Sequence, residues 1–211
     1  MEEFVYLNGS LVPRSQARIS PFDYGFLYGY ALFETMRAYE GRVFRLRQHL
    51  ERLSASAQVM GLPLPKLETL EAAVNETLSA NGLRSARVRL SISAGEGEAV
   101  PNIASCREPT VFITARSLAP LPDFAYEEGY RAVVSSLRQN ALSPLSRLKS
   151  ANYLLNLLAR TEAQRNGYQE AIILNEKGNV AEGSISSLFL VKNEVLLTPD
   201  SGSGCLPGIT R

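Results

Sequence analysis

A lysine placed just ahead of an apolar segment is the strongest candidate for chemistry in this chain. Lys149 precedes the segment from Tyr153 to Ala159, which its apolar residues predict to be a buried helix. An ammonium at a helix N-terminus meets the positive end of the helix dipole, and burial also disfavours the charged form, so we expect a lowered pKa for Lys149. Such a lysine can act as a nucleophile or a base. The alternative is a lysine that only reaches from the helix start into water.

Two further stretches contain groups that would complement this lysine. Glu182 lies in a mainly apolar run of small residues, where a buried carboxylate needs a partner; the alternative is an exposed strand end. Near the end of the chain, Pro207 and Gly208 predict the start of a helix. Its first backbone N–H groups, at Ile209 and Thr210, would bind an anion, and the alternative is a plain turn from loop to helix.

Together these residues match the requirements of one cofactor. Pyridoxal 5'-phosphate needs a lysine amine for its aldehyde, a charged partner for its ring nitrogen and donors for its phosphate. Lys149 and Glu182 would supply the first two, and the amides of Ile209 and Thr210 the third. The guanidinium of Arg52 would add a fixed cation for the phosphate. An acidic partner keeps the ring nitrogen protonated, which makes the ring an electron sink and favours reactions that pass through a carbanion.

Composition disfavours several other kinds of function. The 211 residues are 45% hydrophobic with a net charge of +1, enough for one large domain or two smaller ones. There is no basic tract for nucleic acid and no long apolar run for a membrane span. Cys106 and Cys205 form no disulfide framework, so we expect a reducing, cytoplasmic compartment. His49 is the single histidine and lies in a predicted polar helix. A zinc site or a serine triad would have to be built on it, so both are poor hypotheses.

Periodicity and turn signals predict the elements that position these residues. Apolar spacing predicts two amphipathic helices, of which the first has a largely solvated charged face that carries Arg47, His49 and Arg52. The predicted fold class is α/β (α+β), with an N-terminal α/β domain (1–116), an interdomain linker (117–125) and a C-terminal cofactor-binding domain (126–211). The predicted elements are a hairpin from Phe4 to Val12, a strand from Phe33 to Tyr39, helices from Leu46 to Met60 and about Leu67 to Ala80, strands from Ala86 to Ala94, Thr110 to Ala115, Tyr130 to Ser136 and Ala171 to Leu174, and a hairpin from Ser187 to Leu197.

The chain as a whole resembles the fold-type IV pyridoxal-phosphate enzymes, the class IV aminotransferase family. The resemblance implies a two-domain fold and a homodimer, with an active site between the domains that loops of the partner subunit complete. Because the family continues beyond such a C-terminal segment, it also implies that the C-terminal part is missing from this chain. The motifs that carry it are Tyr28-Gly29, Phe33-Glu34-Thr35-Met36-Arg37, Arg45-Leu46, His49-Leu50-Glu51-Arg52-Leu53, Lys149 with Asn152-Tyr153-Leu154, Gly167-Tyr168-Gln169-Glu170-Ala171, Ala181-Glu182-Gly183-Ser184 and Leu206-Pro207-Gly208-Ile209-Thr210-Arg211.

The resemblance also implies roles for individual residues. Lys149 would bind the cofactor covalently and carry a proton, and Glu182 would contact the pyridine nitrogen. The other implied cofactor contacts are Arg52, Ile209 and Thr210 on the phosphate, Tyr153 near the ring hydroxyl and Leu206 packed on the ring.

The reaction depends on the residues around the substrate. Thr35 stands where branched-chain aminotransferases usually carry glycine, and Arg87-Val88-Arg89-Leu90 where they carry Tyr-x-Arg-Pro. Thr35 resembles 4-amino-4-deoxychorismate lyase, which forms 4-aminobenzoate and pyruvate; the alternative is plain β-propensity. We therefore favour the lyase over a branched-chain or related aminotransferase that uses 2-oxoglutarate, and over a non-catalytic cofactor-binding protein. The small-molecule amine substrate would contact Tyr28, Phe33, Arg37, Arg87 and Arg89.

Overall fold

The computed structural model describes residues 2–211, which divide into two compact units. The first unit contains the residues up to Ala119 together with Lys149–Ala151, and the second contains Pro120–Leu148 and Asn152–Arg211. The chain therefore leaves the first unit, returns to it for three residues and leaves again. This return is not part of the linear division into domains that the sequence predicts, and the exact limits 1–116, 117–125 and 126–211 stay a prediction.

Strands and helices alternate along the whole described chain. The helices are α1 (Tyr24–Tyr28), α2 (Leu46–Met60), α3 (Leu67–Ala80), α4 (Phe124–Glu127) and α5 (Leu154–Arg165). The strands are β1 (Phe4–Leu7), β2 (Ser10–Pro13), β3 (Ala31–Tyr39), β4 (Arg42–Val43), β5 (Ala86–Ser93), β6 (Thr110–Ser117), β7 (Ala132–Gln139), β8 (Glu170–Asn175), β9 (Val180–Gly183), β10 (Leu190–Lys192) and β11 (Val195–Leu197).

The first unit is an antiparallel sheet in the order β2-β1-β6-β5-β3-β4. Side chains alternate across β3, as a pleated strand requires. Leu32, Met36 and Ala38 are buried in the same hydrophobic core as the apolar faces of α2 and α3. Phe33 and Thr35 consequently point to the opposite face of the sheet. This alternation separates a structural face from a face on which chemistry is possible.

The amphipathic helices and the first hairpin confirm the sequence prediction. α2 and α3 have the predicted limits, because apolar residues at helical spacing cover the sheet and Gly61 ends α2 in the left-handed region at φ +63°. The hairpin turns at Asn8 and Gly9, which both have positive φ. The predicted solvated face of α2 is wrong for His49, which is buried, and for Arg52, whose side chain is largely buried.

A buried carboxylate explains why these two polar side chains turn inward. Glu34 lies on the core face of β3 and is fully buried. It accepts hydrogen bonds from His49 Nδ1 at 2.7 Å and from Arg52 Nε at 2.8 Å, and Arg52 Nη2 donates to its second oxygen. Burial raises the pKa of Glu34, but the hydrogen bonds from His49 and Arg52 outweigh it and hold the pKa below its ordinary value. The ion pair attaches α2 to β3.

The second unit is a smaller sheet in the order β7-β8-β9, in which β7 and β8 are parallel. α5 connects these two strands, and Ala159 and Ala163 pack against Ala171 and Ile173 in its core. The prediction that the segment from Tyr153 to Ala159 is a buried helix is therefore wrong in part. Its leucines Leu154, Leu157 and Leu158 are exposed, because the buried side of α5 is the one with alanines. Within residues 2–211, no helix combines the length and the apolar character that a membrane span requires.

We expect Gly95→Ala to destabilise the fold more than Gly41→Ala. Both glycines have a positive φ, +78° and +77°, so each alanine costs about 1–2 kcal/mol of backbone strain. A Cβ at Gly95 would also overlap the carbonyl oxygen of Glu108, whereas a Cβ at Gly41 meets open space. Overpacking adds about 1–3 kcal/mol. Urea unfolding measures the difference. Equal losses of unfolding free energy for the two variants would contradict the close approach of Gly95 to the Glu108 carbonyl oxygen.

We expect Glu34→Gln to lower the free energy of unfolding at pH 7 by about 3–5 kcal/mol, because it leaves the buried Arg52 without its charged partner. The folded-state pKa of Glu34 is lowered, so its stabilisation is complete above the ordinary glutamate pKa of about 4.3 and is lost as the pH falls through the folded value. The difference in the free energy of unfolding between parent and variant, measured with urea, should therefore become smaller in acid. A difference that stays constant from pH 7 to about pH 3 would contradict this coupling.

Candidate active site

Lys149 lies on an extended segment that pairs with the start of β3. The N–H of Phe33 donates to the Lys149 carbonyl at 2.9 Å, and the N–H of Ala151 donates to the Ala31 carbonyl at 2.8 Å. Of the two predicted positions, at or just outside a helix N-terminus, the structure shows the second, because α5 begins at Leu154 with Tyr153 as its N-cap. The backbone of this segment finds its hydrogen bonds on β3 instead of in a helix. The sheet, and not a helix dipole, fixes the position of this lysine.

The ring of Phe33 contacts two cationic side chains, Lys149 and Arg89. The Lys149 Nζ lies 4.7 Å from the ring centroid, and the guanidinium carbon of Arg89 lies 3.9 Å from it. Both distances are in the range in which a cation is attracted to an aromatic face. Phe33 itself is buried. The ring therefore holds the amine of Lys149 and the guanidinium of Arg89 close to the same face of the sheet.

The predicted substrate residues of β3 and β5 share that face. Thr35 pairs with Arg89, and Arg37 pairs with Arg87, which in turn pairs with Arg116 on β6. Like charges directly opposite each other on a sheet repel. Arg37 Nη2 donates to Ser85 Oγ at 2.9 Å, while its Nε is buried without a hydrogen-bond partner in the described residues. This concentration of positive charge suits an anionic ligand.

A cavity of about 460 Å³ adjoins this face in the first unit. Ser91, two residues beyond Arg89 on β5, lines it together with Phe26 and Phe112. Asp23 forms its wall and is held by Ser93 Oγ at 2.7 Å and Thr110 Oγ1 at 2.6 Å. Its volume is that of a small-molecule site.

Tyr28 is the one predicted substrate residue of the first unit that lies outside β3 and β5. It ends α1, a half-exposed position, and its ring packs edge-on against Tyr24 with centroids 4.9 Å apart. The Tyr28 ring therefore packs on α1.

In the second unit, Glu182 is held by the backbone of the C-terminal segment. It is half-buried on β9, and its Oε2 accepts the N–H of Leu206 at 3.0 Å. This hydrogen bond joins β9 directly to the C-terminal segment and orients the carboxylate. Glu182 is not the exposed strand end that was the alternative.

The turn after Glu182 is held by Tyr153, a predicted site residue, and by Asn156 and Glu170, for which the sequence predicts no role of their own. The carbonyl of Ser184 accepts Tyr153 Oη and Asn156 Nδ2, both at 3.0 Å. Glu170 accepts the Ser184 N–H at 3.1 Å and the Ser186 hydroxyl at 2.9 Å. Glu170 is an acid at the start of an apolar strand, a pattern that gives no signal of this role. Tyr153, predicted near the cofactor ring, is thereby anchored at its hydroxyl.

The helix start predicted at Pro207 and Gly208 stays a prediction, because its first turn would include residues after Arg211. Pro207 to Arg211 have no helical hydrogen bonds, and Ile209 lies in a bend, with Thr210 exposed beside it. Gly208 passes close to Ser187, whose hydroxyl oxygen would lie 2.9 Å from a Cβ at that position. Ile209 and Thr210 lie outside the described helices and strands, and the role of their amides as anion donors stays a prediction.

The groups in the two units fit pyridoxal 5'-phosphate by their chemistry. Lys149 is a half-buried amine, and Glu182 is a carboxylate held by one backbone N–H. Arg52 is a guanidinium whose position a buried carboxylate fixes. These are the three kinds of group that the cofactor requires.

Glu34, which the sequence analysis did not single out, is detectable as an acid on the apolar face of an alternating strand.

Comparison with known proteins identifies the family. The profile of the family described as amino-transferase class IV matches residues 31–211. A putative branched-chain-amino-acid aminotransferase of Methanocaldococcus jannaschii is 41% identical over 98% of this chain and 72% of its own length. An aminodeoxychorismate lyase of Bacillus subtilis is 38% identical over 98% of this chain and 71% of its own length.

A solved structure shows the same fold. The branched-chain amino acid aminotransferase of Escherichia coli superimposes with a TM-score of 0.93 at 34% identity, over 100% of this chain and 72% of that one. The mixed α/β fold is therefore that of the fold-type IV enzymes, as the sequence predicts. The chain belongs to the class IV aminotransferases, enzymes that depend on pyridoxal 5'-phosphate.

Proposed function

We propose that this protein is an aminodeoxychorismate lyase, which converts 4-amino-4-deoxychorismate to 4-aminobenzoate and pyruvate. The observation that carries the proposal is the hydroxyl of Thr35 on the same face of β3 as Phe33, the ring that contacts Lys149. A lyase needs a proton donor beside the lysine, whereas an aminotransferase does not need one at this position. The 38% identity to the Bacillus subtilis lyase supports the same reaction.

Residues of this chain would hold the cofactor, which when bound supplies an electron sink for the substrate's amine-bearing carbon. Lys149 would bind it covalently, Glu182 would keep its ring nitrogen protonated, and Arg52 would neutralise its phosphate. The remaining contacts that we propose are Tyr153 near the ring hydroxyl, Leu206 on the ring, and the amides of Ile209 and Thr210 on the phosphate.

The reaction itself requires two proton movements by this chain. Lys149 Nζ removes the proton from the ring carbon of the substrate, which lets the enolpyruvate group leave as its C–O bond breaks. Thr35 Oγ1 then passes a proton to the departing enolpyruvate, which becomes pyruvate, and the proton that Lys149 removed replaces it on Thr35. The remaining ring is aromatic 4-aminobenzoate, and this gain in aromaticity drives the release.

The positive face of the sheet supports a substrate with two carboxylates. Arg89 is oriented by its contact with Phe33 and by a hydrogen bond from its Nε to Ser91 Oγ at 3.3 Å. Arg37 and Arg87 pair on neighbouring strands, and a carboxylate between them would relieve their repulsion. We propose these three arginines as carboxylate contacts, with Phe33 and Tyr28 as apolar walls.

We also propose a cytoplasmic homodimer that acts on a small-molecule amine. The exposed rings of Phe22 and Phe26 lie next to Tyr28, and large exposed aromatic side chains are typical of surfaces that a partner covers. A second copy that covers them would exclude water from the neighbouring cavity.

A branched-chain or related aminotransferase is the second candidate. The 41% identity to the Methanocaldococcus jannaschii relative and the TM-score of 0.93 with the Escherichia coli enzyme favour it. It would use the same cofactor residues, and Arg89 would bind the distal carboxylate of 2-oxoglutarate. The two reactions differ in their need for Thr35.

The direct test gives the cofactor-loaded protein 4-amino-4-deoxychorismate and follows both products. We expect 4-aminobenzoate and pyruvate in equal amounts. Thr35→Gly should lower kcat by about 10²–10⁴-fold, the usual contribution of general acid catalysis, and should leave the visible absorbance of the bound cofactor unchanged. Lys149→Ala should abolish both the products and that absorbance.

The contrary outcome of this test is equally specific. A yellow protein that forms no 4-aminobenzoate, but transfers the amino group of branched-chain amino acids to 2-oxoglutarate, would replace the lyase with the aminotransferase. A Lys149→Ala variant with unchanged absorbance would rule out both reactions at this lysine.

A separate prediction concerns the substrate carboxylates. Arg89→Gln should raise KM by about 10–100-fold, because a hydrogen bond to a charged group contributes about 1.5–3 kcal/mol. Arg84→Gln removes an exposed arginine that pairs with Glu40 at the far end of β3 and should leave KM unchanged. Steady-state kinetics distinguish them, and equal effects of the two substitutions would refute a specific role for Arg89.

A further inference from the structure

We infer that Glu34 is the positioning residue for the cofactor phosphate, because it fixes the orientation of Arg52. The inference rests on the proposed function, in which Arg52 contacts the phosphate. It adds a residue that would not touch the cofactor and would act only through the guanidinium. The Glu34 side chain lies on the face of β3 opposite to Phe33 and Thr35.

The geometry of the pair is bidentate. Arg52 Nε donates to Glu34 Oε1 at 2.8 Å and Arg52 Nη2 donates to Glu34 Oε2. A planar guanidinium held along one edge by a carboxylate has no freedom to rotate, so the direction of its other edge is set by Glu34. This arrangement orients the arginine before any ligand is present.

The surroundings of Glu34 make this orientation rigid. The carboxylate is fully buried, and His49 Nδ1 donates to the same oxygen as Arg52 Nη2, at 2.7 Å. Glu34 itself is fixed in the sheet, since it pairs with Leu90 on β5. A residue hydrogen-bonded within a sheet moves less than one in a loop, and a binding group that it supports keeps its geometry.

The charge of the pair is as important as its shape. Arg52 is a cation whose side chain is about nine-tenths buried, and an isolated buried cation is unfavourable. Glu34 compensates that cost when no phosphate is bound. The guanidinium therefore stays in place and charged, and phosphate binding does not have to bring it in from water.

The test compares two ligands that differ only in the phosphate, pyridoxal 5'-phosphate and pyridoxal. Both react with the same lysine, so the ratio of the Kd of pyridoxal to the Kd of pyridoxal 5'-phosphate reports the phosphate contacts alone. Glu34→Gln should weaken pyridoxal 5'-phosphate at least about tenfold, a change equivalent to 1.4 kcal/mol, and should change the Kd of pyridoxal less than about threefold. Absorbance titration of the purified protein measures both.

Two further variants control for loss of structure. His49→Gln removes the other partner of Glu34 but leaves the bidentate pair, and it should keep the ratio of the two Kd values. If Glu34→Gln does not fold, Glu34→Asp retains the charge but withdraws the carboxylate by one methylene, and the same fall in the ratio is expected. Equal weakening of both ligands by the Glu34 variants, or no change in either, would overturn the inference.

A last variant separates this inference from the proposed function. Arg52→Lys keeps a cation but loses the fork, and it should lower the ratio as much as Glu34→Gln does. If Arg52→Lys leaves the ratio unchanged, the assignment of Arg52 to the phosphate fails. If it lowers the ratio while neither Glu34 variant does, only the positioning role of Glu34 fails.

Discussion

The burial of one carboxylate sets the constraints for the first unit. Glu34 has no access to water, so the fold must supply its hydrogen bonds from within, and His49 and Arg52 are the donors. Both donors lie on α2, and the helix is therefore locked in rotation as well as in position. A shift of β3 by one residue would expel Glu34 from this environment and expose Met36, so the same contact determines which side chains face the other way.

Consecutive residues of β3 consequently serve different parts of the site. The backbone of Phe33 holds the segment with Lys149, and its ring contacts the lysine amine. The side chain of Glu34 holds Arg52 on the opposite face. Thr35 returns to the first face, opposite Arg89 in the sheet. One strand thus coordinates groups that come from distant parts of the sequence, and its pleat keeps their functions apart.

The sequence predicts most elements and the kinds of chemical group, but not how the groups are supported. α2 and α3 are predictable because apolar spacing and a terminal glycine are local signals. Lys149 is recognisable by type and motif, yet its hydrogen bonds come from Phe33 and Ala31, so no local pattern could reveal that it is extended. The sequence predicts a solvated charged face for α2, because the partner of His49 and Arg52, Glu34, lies on another element. Such non-local pairs are what periodicity cannot detect.

The brief return of Lys149–Ala151 to the first unit determines the order in which the protein can be assembled. Strands β1 to β6 are complete once Ser117 has been synthesised, and an N-terminal unit generally folds first on the ribosome. The edge of β3 that receives the lysine must then wait until the chain has passed through part of the second unit. Closing that long loop has an entropic cost and raises the contact order, both of which slow folding. The reactive amine is thus among the last groups to reach its place, and a half-made chain lacks it altogether.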